Sequence, residues 1–240
     1  MPRHRLVPCA ALAALLVAPA VGAAVGAAVP AGAAGAPTVS SLLAASGRAL
    51  KGQPGVHLVV TTERKGVRSA AVADIGRSAG HESYTSGAEH FDVAVTATAA
   101  YLSGSPSGLR SLMGLSASQA GRVGAKWIVM KKGSTQYKEF WLNLTETGFA
   151  AILPSPKGTR LLATRDATTG GYQLRWSTPA SASASASTTT LVIAAGAHAL
   201  PLREEVAAAG ATSLTVFSHW GEVVHFSRPS ATIAYAKVFG

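Results

Sequence analysis

The chain has 240 residues, of which 48% are hydrophobic and only 13% are charged, and its formal net charge is +10 at pH 7. Its basic residues are scattered rather than grouped in a stripe, which argues against nucleic acid as a partner and leaves anionic membrane surfaces or cell-wall polymers. The only cysteine, Cys9, excludes a disulfide within the chain and a cysteine-based metal centre.

Residues 1–33 have the pattern of a secretory signal peptide, with basic residues, an apolar run and a small-residue A-x-A site at the end. We therefore expect export, with cleavage near Ala33 and a mature chain that begins at Ala34. Cys9 precedes the apolar run, whereas a lipoprotein cysteine follows it, so we expect no lipid anchor. An uncleaved membrane anchor is the alternative, because the apolar run approaches the roughly 20 residues that span a bilayer.

The first half of the mature chain predicts a helix followed by a meander of strands. Apolar residues at helical spacing indicate a short amphipathic helix at 39–50, for which Thr38 or Ser40 is the candidate cap. From Val56 onwards the period changes to two, and alternating runs separated by turn signals continue to Ser103. This repetition is typical of an antiparallel meander.

Short helical segments and a second group of strands follow the meander. Ser116 and Gln119 match a capping box at the start of one of these helices. Ala180–Ser187 is an Ala-Ser repeat, which we expect to form an exposed loop at a hairpin tip. The remaining segments predicted here are helices at 109–115, 116–123 and 140–153 and strands at 126–130, 172–176, 190–194, 202–208, 214–219 and 223–227.

These elements predict an α+β fold with about nine to eleven strands in one large curved antiparallel sheet, a half-barrel, and a few short covering helices. A sheet of that size twists and curls. Short helices would not fill a wide concave face, so we expect an apolar hollow beneath a lid. A fully packed core is the alternative.

Eight apolar residues on separate predicted strands are the candidate wall of this hollow. They form pairs whose members lie two apart in sequence, so each pair faces one side of the sheet. We expect the concave side to carry the bulkier sets. The eight residues are Leu58, Val60, Phe91, Val93, Ile128, Met130, Leu214 and Val216.

No pattern in the chain indicates catalysis or a bound cofactor. The sequence contains no G-x-S-x-G, H-E-x-x-H, C-x-x-C or G-x-G-x-x-G. His219 and His225 could approach each other across a hairpin and bind a metal, but the pattern favours two surface histidines, because only one poorly placed carboxylate, Glu222, accompanies them. Glu204 and Glu205 point to opposite faces of a strand and so do not form a catalytic pair. We therefore expect a non-enzymatic protein.

Several short motifs resemble actinobacterial envelope lipoproteins of the LppX/LprG type. They begin at Tyr101 (Y-L-S-G), Leu115 (L-S-A-S-Q-A), Gly124 (G-A-K-W-I-V-M), Leu200 (L-P-L-R-E-E-V) and Val216 (V-F-S-H-W-G-E-V-V). The resemblance implies the fold shared with the LolA/LolB lipoprotein carriers, as a single domain over 34–240 with a helical lid. It also implies binding of a lipid or acylated molecule without enzyme activity. The missing lipobox cysteine departs from the family pattern.

The same fold suggests an alternative function. Regulators resembling RseB and MucB sense envelope stress by binding a protein partner, so an envelope protein is a second candidate partner. Lipid that copurifies with the protein would favour a carrier, whereas a stable protein complex without lipid would favour a regulator.

Overall fold

The computed structural model describes residues 37–145, 153, 162–180, 185–196 and 198–240. These residues form one open twelve-stranded sheet and five short helices, which confirms the predicted α+β class with a curved sheet. The expected signal peptide at 1–33 lies outside the described residues. Among the residues described, no helix is both long and apolar enough to cross a membrane.

The helices are short, and the strands have between three and ten residues. The helices are α1 Val39–Lys51, α2 Pro106–Met113, α3 Ala117–Val123, α4 Thr135–Leu144 and α5 Tyr235–Phe239. The first six strands are β1 Gly55–Arg64, β2 Val67–Gly76, β3 Ala79–Ser86, β4 Glu89–Thr96, β5 Ala99–Gly104 and β6 Trp127–Lys131. The others are β7 Leu162–Arg165, β8 Tyr172–Thr178, β9 Ser187–Ile193, β10 Pro201–Ala208, β11 Ala211–Ser218 and β12 Thr232–Ala234.

The sheet consists of two meanders that meet along one pair of strands. Its order is β12-β6-β5-β4-β3-β2-β1-β11-β10-β9-β8-β7. The first strand of the domain, β1, therefore lies in the middle and pairs with both β2 and β11. All neighbouring strands are antiparallel except β12 and β6, which are parallel, so the sheet is mixed rather than purely antiparallel.

Side-chain caps fix the starts of the helices at the positions that the sequence signals indicate. Thr38 accepts a hydrogen bond from the backbone of Ser41 at 3.1 Å, and it is the cap of α1. The predicted capping box of α3 is present, because Ser116 Oγ accepts from the Gln119 amide at 3.2 Å and Gln119 Oε1 accepts from the Ser116 amide at 2.8 Å. Each cap satisfies amide groups that a helix start leaves unpaired.

The predicted strand at 223–227 is wrong. Residues 219–231, which we call the strap, cross the sheet without joining a ladder and lead to β12. Val224 and Phe226 produce the alternating pattern because they pack on the sheet: the Phe226 ring lies 5.8 Å from the rings of His81 and Trp127. Alternation therefore arose here from packing on a sheet rather than from pairing within it.

The Ala-Ser repeat joins β8 to β9, because Thr178 and Ser187 are paired and the residues between them form the connection. Residues 181–184 lie outside the described residues, and their flanking neighbours Ala180 and Ser185 are exposed. We expect deletion of residues 181–184 to lower the melting temperature by less than about 5 °C, since loop closure depends only logarithmically on length. Differential scanning calorimetry measures this shift, and a larger drop would show that the repeat packs against the domain.

Candidate functional site

The two faces of the sheet differ in what covers them. The face that carries Leu58, Val93 and Ile128 packs against the helices and is called the inner face. Helices α2 and α4 lie on β3, β4 and β5, and their buried side chains belong to the same apolar cluster as this part of the sheet. The strap crosses the opposite, outer face, where Phe226 lies near Tyr101.

Six of the eight predicted wall residues lie on the inner face, and each is at most 4% exposed. They are Leu58, Val60, Phe91, Val93, Ile128 and Met130. In this conformation they are part of a packed core and do not line an open hollow. A ligand could therefore reach them only after the side chains that cover them have moved.

The assignment of Leu214 and Val216 to the same face is wrong. Val216 is paired with Val59, and directly opposed residues in an antiparallel ladder project to one face, so Val216 lies on the face opposite Leu58. Leu214 and Val216 are accordingly 38% and 41% exposed. The inner positions of β11 are Ser213, Thr215 and Phe217, of which only the last is bulky and apolar.

The inner face changes from apolar to polar along the strands. The following inner positions, read towards the polar end, show the change: Val56, Leu58, Val60 and Thr62 on β1; Phe217, Thr215 and Ser213 on β11; Ile193, Leu191 and Thr189 on β9. At the polar end the hydroxyls of Thr62 and Ser213 lie 3.1 Å apart. The turn between β1 and β2 lies at the same end of the sheet. The inner face is thus amphipathic.

A buried carboxyl, that of Glu204, lies where the apolar part meets the polar part. Glu204 on β10 is opposite Thr215 and Leu191 and is 6% exposed, whereas Glu205 is exposed, as predicted from their opposite directions. Burial raises the pKa of Glu204 to about 7. Its carboxyl can therefore accept or donate a hydrogen bond near neutral pH.

A second carboxyl, that of Glu82, lies deeper in the apolar part and was not predicted. Glu82 on β3 is fully buried between Ala73 and Val93 of the neighbouring strands. Neither of its carboxyl oxygens has a hydrogen-bond partner among the described residues. Burial raises its pKa to about 7. A carboxyl in these surroundings lowers the stability of the protein unless a partner reaches it.

His219 and His225 do not face each other across a hairpin, because the chain leaves β11 at His219 with a positive φ of 49° and continues as the strap. The His219 ring instead lies 5.4 Å from that of His57, whose Nδ1 is 2.7 Å from Asp74 Oδ1. Within the described part of the chain, no group of three or more histidine, cysteine or acidic side chains is placed to hold a metal ion.

A separate cavity of about 480 Å³ lies at the tip of the β8–β9 hairpin. Small and hydroxyl side chains line it, including Thr178, Ser187 and Ala208. It contains none of the eight predicted wall residues, so it is distinct from the hollow that the sequence predicts.

No protein-family description and no curated protein matches the chain. Among solved structures it is similar to the lipoprotein LppX of Mycobacterium tuberculosis, with 19% identity and a TM-score of 0.49 over 78% of this chain and 99% of the other. LprF from Mycobacterium bovis follows with 15% identity and a TM-score of 0.46, covering 78% and 95% of the two chains. A hypothetical protein from Chlamydia trachomatis shares 12% identity at a TM-score of 0.34, covering 78% and 96%. LppX is one of the two proteins after which the type that the sequence motifs resemble is named.

Proposed function

We propose that this protein is an exported, non-enzymatic carrier that holds a lipid or an acylated molecule between the inner face of the sheet and the helices. The observation that carries the proposal is the change of the inner face from apolar to polar along the strands. An acylated molecule has the same division into a long apolar chain and a polar head, so its two parts match the two parts of this face.

The acyl chain would replace helix side chains on the apolar part of the face. Burial of each methylene gains about 0.8 kcal/mol, so a chain of roughly ten methylenes gains about 8 kcal/mol relative to water. Leu109 and Leu112 of α2 and Phe140 of α4 are among the side chains that cover this part in the present conformation. The exchange of these contacts for a ligand chain keeps the apolar sheet surface out of water.

The head group would lie at the polar end, within reach of hydroxyl side chains and of Glu204. Thr215, Ser213 and Thr189 are buried there and offer donors and acceptors. Because the carboxyl of Glu204 has a pKa of about 7, it suits a head group with hydroxyl or amide donors better than an anionic one. A head with several hydroxyl groups fits this end best.

The exposed turn between β1 and β2 supports an anionic membrane or cell-wall surface as the place of loading. Arg64, Lys65 and Arg68 surround Val67, whose side chain is 60% exposed. The turn lies at the polar end of the inner face, where a ligand head would enter. Three cations next to an exposed apolar side chain favour contact with anionic lipid.

A matched pair of tryptophan substitutions tests the proposal. We expect the wild-type protein to take up a fluorescent fatty-acyl probe and to release lipid on solvent extraction, detected by mass spectrometry. Val93→Trp on the inner face should abolish probe uptake, and overpacking should cost about 1–3 kcal/mol of stability. Val216→Trp on the outer face should change neither property.

Thermal melting monitored by circular dichroism establishes that Val93→Trp is folded at the temperature of the binding assay. Failure of the wild-type protein both to bind the probe and to carry lipid would contradict the carrier function. Recovery of a stable complex with an envelope protein, without lipid, would favour the RseB/MucB-like regulator instead.

A further inference from the structure

Two buried polar side chains enter the inner core from opposite layers, and neither has a hydrogen-bond partner among the residues described. Glu82 comes from β3 in the sheet. Ser46 comes from α1, where it shares the buried side of the helix with Leu42, Leu43 and Leu50. Both residues are 0% exposed.

The residues that the structure describes around Glu82 offer its carboxyl no hydrogen-bond partner. Within the row of inner positions that crosses the sheet, its neighbours are Ala73 and Leu58 on one side and Val93 and Leu102 on the other. An unpaired buried polar group costs about 1–3 kcal/mol, and more when it is charged. A leucine at this position would therefore suit a core whose only task is to pack.

The chemistry of a buried carboxyl limits what can pair with it. A cation would have to lose its hydration in an apolar core, and the attraction of the pair often does not offset that cost. A hydroxyl group is uncharged, and it can donate to a carboxylate or accept from a carboxylic acid. It therefore fits Glu82 in both protonation states.

The position of Glu82 indicates at which point along its acyl chain the ligand would carry the hydroxyl group. Glu82 on β3 lies four strands away from Glu204 on β10, across β2, β1 and β11. At about 4.8 Å per strand, the two carboxyls are roughly 19 Å apart along the sheet. A ligand whose head lies near Glu204 would thus reach Glu82 with a distant part of its chain.

We propose that Glu82 forms a polar subsite in the apolar part of the inner face and binds a hydroxyl group carried far from the head of an acyl chain. Ser46 Oγ of α1, a buried group on the helical side without a hydrogen-bond partner in the part of the chain that the structure describes, is the candidate for a second hydrogen bond to the ligand. The proposal rests on the carrier function proposed above and specifies its ligand class as hydroxylated acyl chains.

Competition with three fatty acids against a fluorescent fatty-acyl probe tests the subsite. The competitors are stearic acid, 12-hydroxystearic acid and 2-hydroxystearic acid, which differ only in the presence and position of one hydroxyl. We expect the wild-type protein to bind the 12-hydroxy acid about tenfold more tightly than stearic acid, the size of one buried hydrogen bond. The 2-hydroxy acid carries its hydroxyl next to the head, at the polar end, so any preference for it over stearic acid should be unchanged by Glu82→Leu.

Substitutions test which residues cause the preference for 12-hydroxystearic acid over stearic acid. Glu82→Leu should abolish it while stearic acid binds at least as tightly as before, and Glu82→Gln should largely keep it because an amide also donates and accepts. Ser46→Ala should reduce the preference. Glu205→Leu makes the same change as Glu82→Leu at an exposed position and should have no effect.

The outcomes separate this inference from the carrier function. If no fatty acid displaces the probe, or the probe does not bind, the carrier function fails and the subsite fails with it. Equal binding of stearic and 12-hydroxystearic acids by the wild-type protein overturns the subsite alone, and so does a preference that survives in a Glu82→Leu protein shown by melting to be folded.

Discussion

The folded protein is expected to become more stable as the pH is lowered from 8 to 5. Burial raises the pKa values of Glu82 and Glu204 to about 7 from an ordinary 4.5, so between these values the folded state binds more protons than the unfolded state. Stability therefore falls as the pH rises through this window. Each carboxyl contributes about 3 kcal/mol, and the two together about 6 kcal/mol as an upper limit.

Urea unfolding at several pH values between 5 and 8 measures this effect. Glu82→Gln and Glu204→Gln should each remove about half of the pH dependence, whereas Glu205→Gln, at an exposed position, should leave it unchanged. Stability that is flat or that decreases on acidification would show that the two carboxyls are hydrated or paired in the folded protein.

Asp166 makes the stability depend on pH in the opposite direction, but outside the range from pH 5 to 8. The backbone amide of Thr169 donates a hydrogen bond to its carboxylate at 2.8 Å, which with the Thr169 hydroxyl holds the pKa of Asp166 below its usual 3.8. The stability that this carboxylate contributes is present above pH 3.8 and is lost only as the pH falls through the lower folded value. It therefore does not mask the effect between pH 5 and 8.

Gly80→Ala is expected to cost about 3 kcal/mol or more and to displace α4. A Cβ atom at Gly80 would collide with the backbone carbonyl of Leu144, the last residue of α4. Neither backbone can rotate out of the way as a side chain could, so the strand and the helix must separate. Overpacking typically costs about 1–3 kcal/mol, and we expect the upper end of that range or more here. The midpoint of urea unfolding reports the loss.

The matched control is Gly121→Ala. Gly121 lies inside α3, is exposed, and has no atom within 4 Å of the position that a Cβ would take. Alanine favours a helix over glycine by about 1 kcal/mol, so this variant should be slightly stabilised. Equal effects of the two substitutions would show that α4 does not press against β3 at this point.

The sequence predicts elements well where their signals are local. The cap at Thr38, the capping box at Ser116 and the meander from Val56 to Ser103 depend on residues a few positions apart, and the structure confirms them. The curved sheet with covering helices follows from the order of these elements. β7 and the parallel strand β12 were not predicted, since each is very short.

The candidate site was predicted less well because its geometry depends on distant partners. Residues 213–217 alternate in sequence, but only pairing with β1 decides which set faces the helices, and the polar set Ser213 and Thr215 was the inner one. Glu82 gave no local signal either, because a charged residue in an alternating strand normally lies on the solvent side. Its inner position is visible only once Val93 and Ala73 are seen beside it.

The central place of β1 in the sheet has a consequence for how the chain folds. β1 finds β2 through a tight turn, but its other edge pairs with β11 near the far end of the chain, as in the pair His57 and Ser218. Contacts between such distant residues form slowly, because the intervening chain must first be ordered. Until β11 pairs with it, the unpaired edge of β1 can pair with strands of other chains. Aggregation competes with folding during this interval, which ends when the β1–β11 ladder forms.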